Sequence, residues 1–511
     1  MTAAIMFQGT ASDAGKSIIT AAACRVLAQD GYLVAPFKSQ NMSLNSWITK
    51  DGKEIAVAQT VQAEAAQVEP IVEMSPILLK PNADNNSQVI LKGKLYKNMN
   101  AADYFASKDK LLEIIEAALA VLKNNYEVLV LEGGGNPAEV NLRDKDLVNM
   151  KAAELADSPV ILIADIDKGG VFASIIGTLD LLTEEERERV KGIIVNKFRG
   201  DPEKFLQGVK LIEELTSKKV LGVLPYLEEL DLPAEDSLEN NIFNNTNDQL
   251  DIVVIAYPQM SNFTDFDYFK AEKGVQLRYV RRADEIANPD LLILPGSKTT
   301  IKDLKYLYSS KMAEQIKELA RKDKDIIGIC GGYQMLGKEI RDPENFEISS
   351  RSINALNLLN IKTVLAAEKV TNQVTANSIN NLPFEADAAY KNLSGFEIHQ
   401  GRTIRDSNVK PVFRLQRKLE TFDSVKSQPD GAINDKGNIW GTYIHDIFKN
   451  DEFRKALISH LFAKKGLTPP EANNKTALEI REENYNYLAD MFRKYIDMES
   501  FYKIIFENKS W

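Results

Sequence analysis

The chain has 511 residues, of which 44% are hydrophobic and 27% charged, a composition typical of globular proteins with two to four domains. No apolar run reaches the ~18 residues of a membrane span, and the formal net charge of −10 argues against general nucleic-acid binding. Two cysteines, Cys24 and Cys330, exclude a disulfide framework and a Cys-rich zinc site. The N-terminus lacks the charged segment of a signal peptide, so we expect a cytoplasmic protein without membrane or nucleic-acid partners. Nothing in the sequence indicates the oligomeric state.

A phosphate-binding loop follows the first predicted strand, at residues 3–8. Residues 9–17 (GTASDAGKS) place Gly-Lys-Ser at the start of an Ala-rich helix that extends to about Gln29. In such a loop, backbone N–H groups bind phosphate oxygens, Lys16 neutralises charge and the Ser17 hydroxyl helps to hold Mg²⁺. The loop has one residue more than the common pattern, and in this it resembles the loop of dethiobiotin synthetase. We expect ATP to be bound by Gly9, Thr10, Asp13, Ala14, Gly15, Lys16 and Ser17.

Three polar residues, Lys38, Glu132 and Asn196, each come directly after a predicted strand. The carboxyl ends of strands face the ligand crevice in open α/β sheets. Lys38 is therefore placed to reach a phosphoryl group during its transfer, although a solvated surface lysine is the alternative. Glu132 suits a Mg²⁺ ligand, and Asn196 suits the edge of adenine because an amide both donates and accepts hydrogen bonds.

Four aspartates have two interpretations each. Asp165 and Asp167 follow another predicted strand and could serve either Mg²⁺ or the second substrate. Asp144 and Asp146 lie in a polar segment, where they either contact substrate or cap the N-terminus of a helix.

The order of the predicted elements divides the chain into two α/β domains. Strands alternate with helices over residues 1–230, which predicts an ATP-binding domain built on a doubly wound parallel sheet. Residues 231–249 are acidic and Asn-rich, as expected of a linker. A second, flavodoxin-like α/β domain is predicted over residues 250–450. Residues 451–511 are amphipathic and predict a helical C-terminal extension.

In the second domain, residues 328–337 (GICGGYQMLG) predict a nucleophilic cysteine. The segment follows a helix expected to extend to about Arg321 and then the apolar run 325–327, so Cys330 falls at a sharp turn between a strand and a helix. A thiol at a helix N-terminus is favoured as the thiolate, and the flanking glycines leave room for a substrate. This arrangement is typical of the nucleophile turn of acyl-transfer enzymes. The alternative is a buried structural cysteine.

A cysteine nucleophile needs a base, and the chain has three histidines: His399, His445 and His460. His399 and His445 each lie on a predicted strand, whereas His460 lies within a predicted helix. The order of a nucleophile followed by a histidine on a late strand favours His445. The contact forms in space and not in sequence, so the choice stays open at this stage.

The chain resembles glutamine-dependent cobyric acid synthases over nearly its whole length. Nine segments in order carry the resemblance: Gly9–Ser17, Phe37–Ser46, Ser75–Pro81, Asn136–Met150, Asp165–Phe172, Asn196–Asp201, Gly328–Gly337, Gly395–Gly401 and Gly441–Asp446.

The resemblance implies an ATP- and glutamine-dependent ligase that amidates the b, d, e and g carboxylates of a corrinoid, adenosylcobyrinic acid a,c-diamide. It implies that Cys330 forms a thioester with glutamine, that His445 transfers protons, and that N–H groups near Gly296 and Gly331 form the oxyanion hole. The released ammonia would displace phosphate from an acyl phosphate made with ATP. That step would depend on Lys16, Lys38 and Mg²⁺.

Two departures bear on the alternatives. Many related amidotransferases have Glu two residues after the histidine, and that position is Ile447 here, so the partner of His445 must come from elsewhere or be absent. Cobyrinic acid a,c-diamide synthases have acidic residues in the segment that is 39–46 here, which contains no carboxylate. The absence of a carboxylate there argues against a cobyrinic acid a,c-diamide synthase, but it leaves the full set of Mg²⁺ ligands unidentified.

Three other classes fit less well. A ligase that amidates peptidoglycan precursors with a separate glutaminase subunit would need a Cys-rich zinc ribbon, and this chain has no spare cysteines. A partition-type nucleotide switch would need an additional lysine early in the phosphate loop, and residues 8–14 contain none. A cysteine hydrolase would leave the phosphate loop unexplained.

Overall fold

The structure, a computed structural model, describes residues 2–82, 86–227, 249–347, 351–379, 381–385, 389–418, 427–471 and 475–507. The predicted linker, 231–249, lies outside the described residues except for Gln249.

Residues 2–227 form a first α/β unit. Its strands are β1 (Ala3–Gly9), β2 (Val34–Phe37), β3 (Gln40–Met42), β4 (Ser46–Ile48), β5 (Glu54–Ala56), β6 (Ile77–Pro81), β7 (Asn86–Leu91), β8 (Lys94–Asn100), β9 (Val128–Glu132), β10 (Val160–Asp165), β11 (Val190–Phe198) and β12 (Val220–Pro225). Its helices are α1 (Lys16–Gln29), α2 (Val57–Ala65), α3 (Ala101–Ala106), α4 (Lys108–Asn125), α5 (Met150–Ala156), α6 (Val171–Leu181), α7 (Glu184–Arg189) and α8 (Leu206–Thr216). Short 3-10 turns cover Val72–Met74, Val140–Lys145 and Pro202–Phe205.

The central sheet of the first unit has six parallel strands in the order β12-β11-β10-β1-β9-β2. Alternate residues of β1 enter different hydrophobic cores, with Met6 on one face of the sheet and Ile5 and Phe7 on the other. Burial of both faces explains why the strand is apolar throughout. The loop from β1 to α1 therefore lies at the carboxyl edge of the sheet, together with the last residues of β9 and β11.

A smaller part of the first unit contacts the second unit. It consists of the sheet β3-β6-β7-β8 and the antiparallel pair β4-β5. The backbone N–H of Ser46 donates to Oδ1 of Asn262 at 3.0 Å, and Nε2 of Gln373 donates to the Ile48 carbonyl at 2.9 Å. These contacts connect strand β4 directly to the second unit.

The second unit begins at strand β13. Its strands are β13 (Leu250–Ile255), β14 (Met260–Ser261), β15 (Val275–Val280), β16 (Leu291–Leu294), β17 (Gly296–Ser297), β18 (Asp325–Ile329), β19 (Glu339–Arg341), β20 (Ser352–Asn354), β21 (Ile361–Ser378), β22 (Leu393–Arg405), β23 (Phe413–Arg417), β24 (Gln428–Asp430), β25 (Ala432–Ile433), β26 (Ile439–Thr442) and β27 (Ile444–His445). Its helices are α9 (Ala283–Ile286), α10 (Thr300–Ser309), α11 (Met312–Arg321), α12 (Gly331–Met335) and α13 (Asp451–Lys464), with 3-10 turns at Phe263–Phe269 and Ile447–Lys449.

Two sheets organise the second unit. The first has the order β15-β13-β16-β18-β26-β25, in which only the edge strand β25 is antiparallel to its neighbour. The second sheet contains β20-β19-β21-β22-β27, with β23 and β24 paired beyond β21. The two sheets meet where β26 leads into β27, which brings the carboxyl end of β18 close to His445.

The C-terminal helices pack against different units. Phe453 and Leu457 of α13 belong to the core of the second unit. Helices α14 (Ala477–Tyr495) and α15 (Met498–Phe506) return to the first unit, where Phe492 and Phe501 pack with residues of β1 and α1. The extension predicted at 451–511 is thus helical, but its segments have separate partners.

The predicted fold class is confirmed: a doubly wound parallel sheet is followed by a second α/β unit and C-terminal helices. The prediction of a single helix extending to about Arg321 was wrong. The segment forms two helices, α10 and α11, because Lys311 between them has a positive φ of 63°. No helix in the described ranges is long and apolar enough to cross a membrane.

Candidate active site

Cys330 lies at the turn between strand β18 and helix α12. Its backbone has φ 51° and ψ −108°, a strained conformation for a residue with a side chain. Its own N–H donates to the Thr442 carbonyl at 2.8 Å, and the N–H of Gly332 donates to the Pro295 carbonyl at 3.0 Å. These bonds hold the turn from both sides, and the sulfur lines a pocket between the two sheets.

His445 contacts Cys330 on one side and a buried aspartate on the other. Its Nδ1 lies 2.6 Å from Oδ2 of Asp265, and its other side faces the Cys330 side chain. The second oxygen of Asp265 accepts the N–H of Asp446 at 3.1 Å, which fixes the carboxylate. The ring of Phe396 stacks on the imidazole at a centroid distance of 5.2 Å. The three contacts with Asp265, Cys330 and Phe396 fix the orientation of the imidazole.

The charge of His445 depends on its two neighbours. Burial alone would lower the pKa of His445, but the Asp265 carboxylate and the Cys330 sulfur outweigh burial and raise the pKa to about 10. His445 is therefore protonated near neutral pH, which places a positive charge beside the Cys330 side chain. Cysteine, histidine and aspartate together form the arrangement expected for acyl transfer.

The other two histidines have different partners, although His399 also lines the pocket that contains Cys330. The ring of His399 stacks on Tyr443 at 3.8 Å, and its Nε2 faces Glu397 at 3.4 Å. His460 lies on α13 with its Nε2 3.9 Å from Asp325. The structure thus brings together Cys330 and His445, the pair that the order along the chain favours.

Of the two glycines predicted for the oxyanion hole, Gly331 directly follows Cys330 and Gly296 lies beside His445. A Cβ at Gly331 would lie 2.8 Å from the backbone nitrogen of Ser297, and a Cβ at Gly296 would lie 3.0 Å from Cε1 of His445. Both positions therefore need glycine. Gly331 opens helix α12, so its N–H has no partner within that helix.

The phosphate loop forms a cradle at the N-terminus of α1. Nζ of Lys16 donates to the carbonyls of Ala11 at 3.0 Å and Gly135 at 3.3 Å, so the ammonium lies across the loop. A Cβ at Gly9 would come within 2.9 Å of that same nitrogen. Asn136 donates to the Thr10 carbonyl at 2.8 Å and supports the loop from the side.

Glu132 is the centre of a buried polar cluster beside this loop. One of its oxygens accepts Oγ of Ser17 and Nζ of Lys38, both at 2.9 Å, and the other accepts Nε2 of Gln62 at 2.5 Å. The carboxylate and the hydroxyl are hard oxygen ligands next to the phosphate cradle, so Ser17 and Glu132 fit Mg²⁺. The structure thus brings Lys16, Ser17, Lys38 and Glu132 together.

Asn196 supports the phosphate loop. Its Nδ2 donates to the Ala14 carbonyl at 2.9 Å, and Gly15 beside it has φ 95°, where a Cβ would lie 2.1 Å from the same nitrogen. Lys197 donates to the Asp13 carbonyl and forms an ion pair with Asp165 at 2.9 Å. Asp167 is paired with Arg199. Contact of Asn196 with adenine stays a prediction.

Of the two candidate substrate aspartates, Asp146 caps a helix. Its carboxylate accepts the N–H groups of Val148, Asn149 and Lys151 at 2.9 Å around the start of α5. Asp144 is exposed in the preceding 3-10 turn. A role for either residue in substrate binding stays a prediction.

Comparisons with known proteins match both units. Residues 5–239 match the CobQ/CobB/MinD/ParA nucleotide binding domain, and residues 251–453 match the CobB/CobQ-like glutamine amidotransferase domain. A cobyric acid synthase of Clostridium botulinum (strain Loch Maree / Type A3) is 49% identical over 98% of this chain and 99% of its own length. Cobyric acid synthases of Thermoanaerobacter sp. (strain X514) and Alkaliphilus metalliredigens (strain QYMF) are 46% and 45% identical, over 99% and 98% of this chain and 99% of theirs.

The chain belongs to the cobyric acid synthase family. The predicted resemblance is thereby confirmed, and so is the class of enzyme, an ATP-dependent ligase that hydrolyses glutamine. The nucleotide-binding unit holds the Lys16 cradle and the amidotransferase unit holds Cys330, as the sequence predicts for a cobyric acid synthase.

Sequence analysis missed the partner of His445. Asp265 belongs to no predicted motif and lies 180 positions before the histidine. One signal was present: Asp265 stands between Phe263 and Phe266 in a segment whose phenylalanines are buried, so its carboxylate is buried as well. A buried aspartate needs a partner. Gln62, which binds Glu132, was also missed.

Proposed function

We propose that this chain amidates the b, d, e and g carboxylates of adenosylcobyrinic acid a,c-diamide, with ATP as the energy source and ammonia from glutamine. One observation carries the proposal: a single chain holds both a Cys330–His445–Asp265 arrangement and a Lys16–Ser17–Lys38–Glu132 cluster. The first cluster suits release of ammonia from an amide, and the second suits activation of a carboxylate. The corrinoid is proposed because relatives that cover the full chain are cobyric acid synthases.

In the glutaminase half, Cys330 Sγ attacks the carbonyl carbon of the glutamine side-chain amide. The carbonyl oxygen gains negative charge, which N–H groups near Gly331 and Gly296 stabilise. The C–N bond breaks as His445 gives its proton to the departing nitrogen, and a thioester remains. His445 then takes a proton from water, which attacks the thioester and releases glutamate. Asp265 keeps the imidazole oriented through both steps.

In the synthetase half, a corrin carboxylate attacks the γ-phosphorus of ATP and becomes an acyl phosphate. A free carboxylate is a poor acyl donor, so this activation must precede attack by ammonia, which then displaces phosphate. Lys16 and Lys38 neutralise charge on the phosphoryl group in transfer. Ser17 and Glu132 would hold Mg²⁺, which supplies further positive charge when bound. Asn196 holds the loop in its conformation.

The test is incubation of the purified protein with ATP, Mg²⁺, glutamine and adenosylcobyrinic acid a,c-diamide, followed by mass spectrometry. Each conversion of OH to NH₂ lowers the product mass by about one unit, so four successive decreases are expected. Two decreases on cobyrinic acid, and none on the diamide, would instead indicate cobyrinic acid a,c-diamide synthase. ATP and glutamine both left unused would contradict the proposed activity. We also propose a cytoplasmic location, where ATP and glutamine are available.

A further inference from the structure

The segment Ser75–Pro81 belongs to the first unit, yet one of its side chains reaches the glutaminase pocket. Lys80, on strand β6, is 4% exposed and lines the pocket that contains the Cys330 side chain. Its Nζ donates to Oγ of Ser46 at 2.7 Å and forms an ion pair with Oε1 of Glu54 at 2.5 Å. All three residues come from the synthetase unit. The glutaminase pocket is therefore built from both units.

Two lysines of the second unit line the same pocket. Nζ of Lys369 lies 2.5 Å from the other oxygen of Glu54, so this one carboxylate is shared by two ammonium groups. Burial alone would raise the pKa of Glu54, but Lys369 and Lys80 outweigh burial and lower it to about 2. Glu54 is therefore charged, and it neutralises only one of its two lysines.

Lys298 adds a third amine. Among the described residues, its Nζ has neither a hydrogen bond nor an ion pair, although it lines the pocket. Burial, and then the charges of Lys369 and Lys80, lower the pKa of Lys298 to about 7. Glu347 also lines the pocket, but it accepts the N–H of Ile301 at 2.7 Å and burial raises its pKa to about 7. The pocket is thus short of negative charge.

We infer that Lys80 and Lys298 bind the α-carboxylate of the substrate glutamine, so the synthetase unit supplies a specificity residue to the glutaminase site. The inference rests on the proposed glutaminase function. When the side-chain amide of glutamine lies at Cys330, two methylene groups and the α-carbon separate it from the carboxylate, and the lysines line that same pocket. An anion there satisfies the ammonium groups that Glu54 leaves uncompensated. It also means that glutamine binds fully only while the two units are in contact.

The test compares two substrates, glutamine and its α-carboxamide, glutaminamide, which lacks the negative charge. Ammonia release is measured for the full chain, and the quantity of interest is the ratio of kcat/KM for the two substrates. The wild-type ratio should favour glutamine by at least about tenfold, as expected for a charged hydrogen bond. Lys80→Met should lose most of that preference, whereas Lys80→Arg should retain it.

Glu54→Gln is the matched control, because it removes the ion pair of Lys80 but keeps the ammonium. If Lys80 binds the α-carboxylate, E54Q should keep the preference for glutamine over glutaminamide, whereas K80M should lose it. An equal loss of preference in K80M and E54Q would mean that the ion pair matters only for packing, and would overturn the inference. If K80M does not fold, Lys298→Met in the other unit gives the same comparison.

The two kcat/KM values of the wild-type protein also test the inference on their own. Hydrolysis of both compounds at equal kcat/KM would overturn the inference without any variant. No hydrolysis of glutamine at all would contradict the proposed function itself, which is a different outcome.

Discussion

Nδ1 of His445 lies 2.6 Å from Oδ2 of Asp265, a residue 180 positions earlier in the chain. Many amidotransferases of this type place a glutamate two residues after the histidine, and here that position is the buried Ile447. The carboxylate instead comes from the 3-10 turn Phe263–Phe269. The same chemical pair is thus built from a different part of the fold.

Asp265→Asn should lower glutamine-dependent amidation by about 10²-fold or more, because the imidazole loses both its orientation and its negative partner. Amidation with added ammonium salt should remain, since that route does not use His445. Steady-state rates with each nitrogen source check this. Asp267→Asn, two residues further along the same turn, is the control and should keep both rates. Equal loss of both routes in D265N would mean that Asp265 supports the fold and not the reaction.

The His445–Asp265 pair predicts how stability changes with pH. The pKa of His445 rises from 6.5 to about 10 in the folded protein. The unfolding free energy that it contributes is therefore fully present below pH 6.5, and it is lost as the pH rises through about 10. His445→Gln should accordingly be less stable than the wild type at pH 6, with a gap that narrows by pH 10. Urea unfolding of both proteins at several pH values measures the gap, and a constant gap would contradict the prediction.

Cys330→Ala should abolish glutamine-dependent amidation while ammonia-dependent amidation survives, because only the first route needs the thioester. Cys24→Ala is the matched control. Cys24 is fully buried in α1, and burial followed by the charge of Glu132 raises its pKa, so it stays an unreactive thiol. Iodoacetamide should therefore label Cys330 and leave Cys24 unmodified in the folded protein. Loss of both nitrogen routes in C330A would assign Cys330 a structural role.

Lys16→Ala should remove amidation with either nitrogen source, by at least about 10²-fold, because both need the activated carboxylate. Glutamine hydrolysis measured on its own should persist, since Lys16 lies in the other unit. Lys50→Ala, which removes an exposed lysine paired with Glu69, serves as the control. Amidation that continues in K16A by either route would contradict the assignment of the phosphate loop.

Glu132→Gln should raise the Mg²⁺ concentration needed for half-maximal amidation, because an amide is a weaker ligand for Mg²⁺ than a carboxylate. The change also removes the ion pair with Lys38. Magnesium titrations with ammonia as the nitrogen source measure the effect without the glutaminase. Glu139→Gln, a few residues beyond β9, is the control. An unchanged Mg²⁺ requirement in E132Q would place the metal elsewhere.

The parts of the site that sequence analysis predicted are local ones. The turn at Cys330 and the loop at Lys16 are each encoded by about ten consecutive residues, in which glycines and the flanking strand and helix determine the geometry. Asp265 and Lys80 could not be predicted in this way. Each reaches its site from a distant element, and in the case of Lys80 from another unit. Their roles depend on how the units pack, which no short motif encodes.

For the fold as well, local features could be predicted from the sequence and contacts between distant elements could not. The order of strands and helices followed from alternating apolar and amphipathic segments, and the class of fold is as predicted. The sequence did not predict which unit the C-terminal helices pack against. An amphipathic pattern indicates that a helix has an apolar face, but it does not identify the surface that covers this face. Arg481 of α14 illustrates the result, since it contacts Glu64 of the first unit at 3.2 Å and Tyr268 of the second at 3.1 Å.

Helices α14 and α15 have a consequence for biosynthesis. Phe492, Phe501 and Ile504, near the end of the chain, complete a hydrophobic core that includes Ile5 and Phe7 of the first strand. Part of one face of the first sheet therefore stays uncovered on a nascent chain until α14 and α15 have been translated. Exposed apolar surface of this kind favours aggregation during synthesis. The first unit thus cannot complete this core before α14 and α15 have been made, and a fragment ending at the linker would lack part of it.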